Sequence, residues 1–306
     1  MRSMTVKPFA RRAFLGGLAL LPIAGSFPFP VRAQNAAFPL VVDLDWLANE
    51  ATSPDLRVFD VSPLHVWRDA HIDSAEHAWW RDTVDPNYPV FGAVLTQGDE
   101  ESHRQQVLDS LGLVTGDRVV VYDDDGGFRA ARLVWFLRFL GFQQAALLNA
   151  GVADWQERSF SIETASTSSS TPVVDPQAGF YLVTQQVLDR LESPDVRLVD
   201  IRTDDERADD LNGAMPLGQI PASIRLPWSI LLDTDGRLLT TDRISALAAD
   251  AGLDPANPTV LYGSFGVDTA LSWLALANAG FSDLQIYDRG WAEWSITPGL
   301  PREALS

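Results

Sequence analysis

The stretch Val260-Leu261-Tyr262-Gly263-Ser264-Phe265-Gly266-Val267-Asp268-Thr269, continuing to Phe281 as ALSWLALANAGF, decides the fold of this chain. Thr259 to Tyr262 is β-branched and aromatic and predicts a strand. Gly263 and Gly266 interrupt the pattern as a loop. Apolar residues at helical spacing then predict a helix from Thr269 to Ala279, stopped by Gly280, and Leu284 to Tyr287 predicts a further strand. Strand, glycine loop, helix and strand with short connections define a parallel α/β unit. Ligands of such sheets bind beyond the carboxyl ends of the strands, so the loop after Tyr262 is the candidate site.

The same pattern occurs once more, about 140 residues earlier. Val58-Phe59-Asp60-Val61 returns as Leu198-Val199-Asp200-Ile201, and Val120-Val121-Tyr122 as Val260-Leu261-Tyr262, with Gly126 matching Gly266. Asn149 to Trp155 returns as Asp288 to Trp294, and Val42-Asp43 with Trp46-Leu47 parallels Val183-Thr184 with Val187-Leu188. In the first copy Arg118 to Tyr122 and Ala146 to Leu148 predict strands, and Ala130 to Leu140 a helix ended by Gly141. A period this long means duplicated domains rather than a solenoid. The Ser/Thr tract Thr164 to Pro172 cannot build a core and is the expected linker. Domain 1 is then 34–163, the linker 164–172 and domain 2 173–306, each a parallel sheet flanked by helices.

Residues 1–33 read as a targeting segment. Arg11-Arg12-Ala13-Phe14-Leu15 is a twin-arginine pattern, an apolar run follows to Gly25, and Val31-Arg32-Ala33 offers small residues for cleavage after Ala33. The expectation is export, to the periplasm or by secretion, with no stable membrane insertion after cleavage. The 306 residues include no cysteine, so no disulfide can form in an oxidising compartment, and stability must come from core burial. The full chain carries a net charge of −18. Without the five basic residues of the leader, 18 basic and 41 acidic residues remain, a net −23 that repels nucleic acid and anionic membranes. Lys7 is the only lysine. A high-salt medium and an arginine-rich codon usage explain that composition equally well.

In these motifs the chain resembles the tandem rhodanese-domain sulfurtransferases, the thiosulfate and 3-mercaptopyruvate sulfurtransferase family. The resemblance covers nearly all of the chain after the leader. It rests on Leu198 to Arg202, Gly218-Gln219-Ile220-Pro221-Ala222, Leu226-Pro227-Trp228 and Tyr287 to Trp294. It implies a nucleophilic cysteine after the strand ending at Tyr262, opening a Cys-x-x-Gly loop whose backbone N–H groups favour a thiolate. That thiolate would take a sulfane sulfur and pass it on. Here Gly263-Ser264-Phe265-Gly266 fills the loop, and glycine offers no atom to hold sulfur. Asp123 stands at the equivalent position of domain 1, with Gly126 in its loop; the resemblance implies a non-catalytic first domain.

Further departures surround the loop. The resemblance places Arg202 and Arg207 near the substrate, whereas Leu211 to Pro216 lacks a further arginine and Gln219 replaces a histidine. Asp268 puts a carboxylate on the loop that disfavours an anionic donor, by a few tenths to ~1 kcal/mol if exposed. Ser264 does not complete a Gly-x-Ser-x-Gly elbow, because Tyr262 stands at the first glycine and no histidine follows. The histidines His65, His71, His77 and His103 fit no common zinc spacing. Asp123-Asp124-Asp125 lacks the carboxylate that a calcium loop needs at its twelfth position, which is Val134 here. No metal or cofactor is assigned. Trp155, Trp228, Trp291 and Trp294 are expected to pack, and of the adjacent Trp79 and Trp80 one ring should be buried and one should cover the sheet edge.

The sequence thus predicts an exported rhodanese-family protein without cysteine-persulfide transfer, binding an anion, a sulfur compound or a periplasmic protein at 263–268. The alternative is an active sulfurtransferase working by a non-standard route or with a partner's cysteine.

Overall fold

The computed structural model describes residues 38–83, 100–157, 174–177, 179–208 and 215–305. The leader, the linker, residues 211–214 and the side chain of His103 lie outside the described residues. The first copy contains strands β1 Val41–Val42, β2 Leu56–Asp60, β3 Glu76–His77, β4 Arg118–Tyr122 and β5 Ala145–Leu148. Its helices are α1 Leu44–Glu50, α2 Leu64–Asp69, α3 Glu100–Ser110, α4 Phe128–Phe139 and α5 Val152–Gln156. The second contains β6 Tyr181–Leu182, β7 Arg197–Asp200, β8 Ile224–Arg225, β9 Thr259–Tyr262 and β10 Leu284–Tyr287. Its helices are α6 Thr184–Arg190, α7 Asp204–Ala208, α8 Thr241–Asp250, α9 Gly266–Asn278 and α10 Gly290–Trp294.

The two sheets have one topology. Strands run β1-β5-β4-β2-β3 in the first and β6-β10-β9-β7-β8 in the second, and every neighbouring pair is parallel. Register repeats as well: Asp60 lies beside Tyr122 as Asp200 lies beside Tyr262. Duplication read from four short matches therefore extends to the hydrogen-bond ladder. Both central helices begin earlier than periodicity predicts, at Phe128 instead of Ala130 and at Gly266 instead of Thr269. Gly266, which read as loop, is the first residue of α9, where backbone N–H groups need no intrahelical partner.

Those two helices are buried on all sides. Ala130 to Phe139 of α4 and Gly266 to Leu276 of α9 are all shielded from solvent. They pack on each other, and one core runs from Val119 and Val121 of β4 through Trp135, Phe136, Leu271 and Leu274 to Leu261 and Ile286. Each sheet covers its opposite face separately, with Leu47, Val58 and Trp155 in one copy and Val187, Trp291 and Trp294 in the other. The copies therefore share a core, which stabilises a cysteine-free chain by burial alone. Trp80 packs partly buried against this core, whereas Trp79 is exposed. Trp228 is half-buried, with its indole N–H near the Glu206 carboxylate.

Candidate functional site

The loop after β9 is held from one side by the segment after β10. Trp291 N–H donates to the Gly263 carbonyl at 2.9 Å and Ala292 N–H to the Ser264 carbonyl at 3.2 Å. Gly290 adopts φ +55°, and a Cβ there would meet the Gly263 oxygen at 2.5 Å. Gly266 has even less room, because a Cβ would lie 2.0 Å from Asp288 Oδ1. Phe265 caps α9 in an extended conformation, and Thr269 Oγ1 donates to its carbonyl. Ser264, Val267 and Asp268 are buried, and Asp268 lies in the first turn of α9, where a carboxylate opposes the positive end of the helix dipole.

At Gly263 itself a side chain would be cramped. A Cβ would meet Ile201 Cδ1 at 3.0 Å and both Phe265 O and Thr269 Oγ1 at 3.2 Å. Its backbone is not in the left-handed region, so the restriction is contact and not torsion.

Domain 1 shows what the same loop does when it carries an anion. Asp123 Oδ1 accepts the N–H groups of Asp125 and Gly127, and Oδ2 that of Ala130, all at 2.8 Å. The carboxylate thus fills the cradle at the start of α4. Burial pushes the Asp123 carboxyl up from its usual range, against the pull of these three N–H groups and Arg129. Gly126 adopts φ +66° and faces the Gly236 carbonyl of the other copy at 2.6 Å from a hypothetical Cβ. The three-aspartate run therefore spends its first carboxylate on the backbone. Among the described residues no cluster of three metal-ligating side chains occurs.

Arg202 and Arg207 come together beside the loop, in a buried network. Arg202 donates to both oxygens of Asp200, at 2.9 and 2.7 Å, and to the Gly218 carbonyl at 2.8 Å. Its guanidinium lies over the rings of Tyr262 and Trp291, and the residue is 0% exposed. Arg207 donates to the Gln219 side-chain oxygen and lies 3.6 Å from Asp200. The domain 1 counterpart replaces this ionic cluster with Ser62, Trp67 and His71, and His71 stacks on Trp67 at 4.5 Å.

One participant escaped the sequence reading. Arg132 of α4, 0% exposed, reaches from the first copy to Asp288 of the second at 2.6 Å, and to the Gly266 carbonyl at 3.4 Å. The signal was an arginine embedded in the apolar run Ala130 to Phe139, a position that demands a buried partner.

Comparison with known proteins agrees with this architecture. The family described as rhodanese-like domain matches residues 43–158 and 183–297. A thiosulfate sulfurtransferase of Corynebacterium glutamicum is 31% identical over 297 residues, covering 90% of this chain and 94% of that one. The 3-mercaptopyruvate sulfurtransferase of Escherichia coli K12 is 25% identical over 283 residues, covering 86% and 98%. The crystal structure of SseA from Escherichia coli, a 3-mercaptopyruvate sulfurtransferase, superposes with a TM-score of 0.68 at 23% identity, covering 83% of this chain and all of that one. The chain belongs to the rhodanese family, as a tandem of two such domains. It is a member without any cysteine, so no thiolate of its own can carry sulfur.

Proposed function

We propose that this protein is an exported, binding member of the rhodanese family that does not transfer sulfur through a persulfide. The observation that carries this reading is Gly263. It occupies the nucleophile position of a loop that is otherwise ordered, and the space its side chain would need is bounded by Ile201, Phe265 and Thr269 at 3.0–3.2 Å. Asp268, buried in the first turn of α9 next to the loop, adds a carboxylate that opposes capture of a dianionic sulfur donor.

The loop backbone and the start of α9 are left to hold a ligand: a small sulfur-containing anion of lower charge, or a group presented by a periplasmic partner. Export follows from the twin-arginine pattern and the predicted cleavage after Ala33. Incubation of the purified protein with thiosulfate and cyanide, and separately with 3-mercaptopyruvate and a thiol, tests the reading. Sulfur transfer at the level of the blank is expected; turnover above it, abolished by boiling, overturns the proposal.

A further inference from the structure

The duplicated halves treat one corner of the sheet in opposite ways. In domain 1 Arg57 of β2 is tied to Glu76 at 2.6 Å and Asp117 at 3.3 Å, and Arg118 to Glu50 at 2.6 Å. The repeat places Arg197 of β7 at the position of Arg57, since each lies three residues before the paired Asp60 and Asp200. Strand pairing then puts Ile224 where Glu76 stands, next to Val199 as Glu76 is next to Phe59. Asn257, five residues before Tyr262, takes the place of Asp117, and Arg190 at the end of α6 takes the place of Glu50 at the end of α1. Three carboxylates of one half have become isoleucine, asparagine and arginine in the other.

Domain 2 has a cavity at this corner, of about 330 Å³. Its floor is Val187, Leu198 and Val260, and its mouth carries Arg190 and Arg197. No carboxylate lines it. Each guanidinium makes one backbone bond, Arg190 to the Gln186 carbonyl at 3.3 Å and Arg197 to the Pro194 carbonyl at 2.6 Å. Neither forms an ion pair with a described carboxylate, in a chain where acids outnumber bases by 41 to 23. A guanidinium has five N–H donors, so each of these two lining arginines keeps several beyond its one backbone bond. The cavity sits at the amino ends of β7 and β9, away from the Gly263 loop at their carboxyl ends.

We propose that this cleft binds a small apolar carboxylate, its tail on Val187, Leu198 and Val260 and its head between Arg190 and Arg197. Charge complementarity selects the head, because a planar guanidinium matches a carboxylate in a two-point fork. The apolar floor selects the tail. This site is independent of the reading of the Gly263 loop.

Titration calorimetry of the full chain with octanoate, and with uncharged octanamide, tests it. Octanoate is expected to bind saturably, octanamide at least about tenfold more weakly. Arg190→Gln and Arg197→Gln should each weaken octanoate about tenfold, since each removes a charge-assisted contact. Ile224→Glu, which rebuilds the carboxylate of domain 1 beside Arg197, should abolish binding while the circular dichroism of the chain stays unchanged. Amide shifts should map to Val187 and Val260 rather than to Gly263. The proposal is overturned if octanoate does not bind at millimolar concentration, if octanamide binds equally, or if both arginine variants bind like the parent.

Discussion

The guanidinium of Arg132 and the carboxylate of Asp288 meet at 2.6 Å with exposures of 0% and 3%, one residue from each domain. The same Asp288 lies directly over Gly266, so the pair couples α4 of domain 1 to the loop of domain 2. Breaking such a pair on one side leaves an uncompensated buried charge, at a cost of about 3–5 kcal/mol. Arg132→Leu should therefore lower the urea midpoint strongly. Arg132→Leu combined with Asp288→Leu should recover much of the loss, because an apolar pair can replace a buried ionic one. A double variant no more stable than the single would refute this account.

Gly263→Cys restores the family's nucleophile in name only. The Cβ must push Ile201 Cδ1 and Thr269 Oγ1 from 3.0 and 3.2 Å, an overpacking worth about 1–3 kcal/mol. Denaturant unfolding should show that loss, and Ile201→Val should recover part of it. Thiocyanate formation from thiosulfate is expected to stay at background in Gly263→Cys and to rise once Asp268→Ser removes the neighbouring carboxylate. Turnover in the single variant would show that the carboxylate does not oppose the donor.

Legibility followed the local character of each signal. The β9 and β10 strands were readable to the residue because their apolar runs are short and bounded by proline, glycine and aspartate. The start of α9 was not, because Gly263 and Gly266 look alike in sequence while the close approach of Asp288 fixes Gly266 in the first helical turn. Asp123 opens a run of three aspartates, yet it is 4% exposed, since three backbone donors two to seven residues further along converge on it. Arg202 and Arg207 could be placed near the site by motif, but only the packing of Tyr262 and Trp291 shows how deeply Arg202 is enclosed.

Among the described residues, two carry left-handed backbone without being glycine. Ser74 has φ +63° and Ala222 φ +58°, at matching places in the two copies, just after the residues whose N–H groups bond Tyr122 and Tyr262. The left-handed region costs an L-residue about 1–2 kcal/mol, part of which glycine loses again to its freer unfolded chain. Ser74→Gly and Ala222→Gly should each stabilise the protein by roughly 0.5–1 kcal/mol. Thermal unfolding is expected to shift upward by about 1–3 °C for each, additively, because the sites lie in different domains. A lower melting temperature for both would show that the side chains contribute more than the backbone strain removes.

Arg237 on a domain 2 turn reaches Asp154 of domain 1 at 2.5 Å, and Asn149 of domain 1 bonds both the N–H and the carbonyl of the adjacent Leu238. Burial pushes the Asp154 carboxyl up, but the Gly151 N–H and Arg237 outweigh it and hold the group below its usual value. A carboxylate depressed on folding stabilises the folded state above its unfolded pKa of about 3.9, and that contribution fades as pH falls through the folded value. Both side chains are about 30% exposed, so the pair is worth only about 0.2–1 kcal/mol. Urea midpoints of the parent and of Arg237→Gln should differ by a constant amount from pH 7 to about pH 5. The difference should shrink below about pH 4, as Asp154 takes up its proton. A gap that persists unchanged to pH 3 would mean that Arg237 acts through packing of its stem on the domain 1 loop and not through its charge.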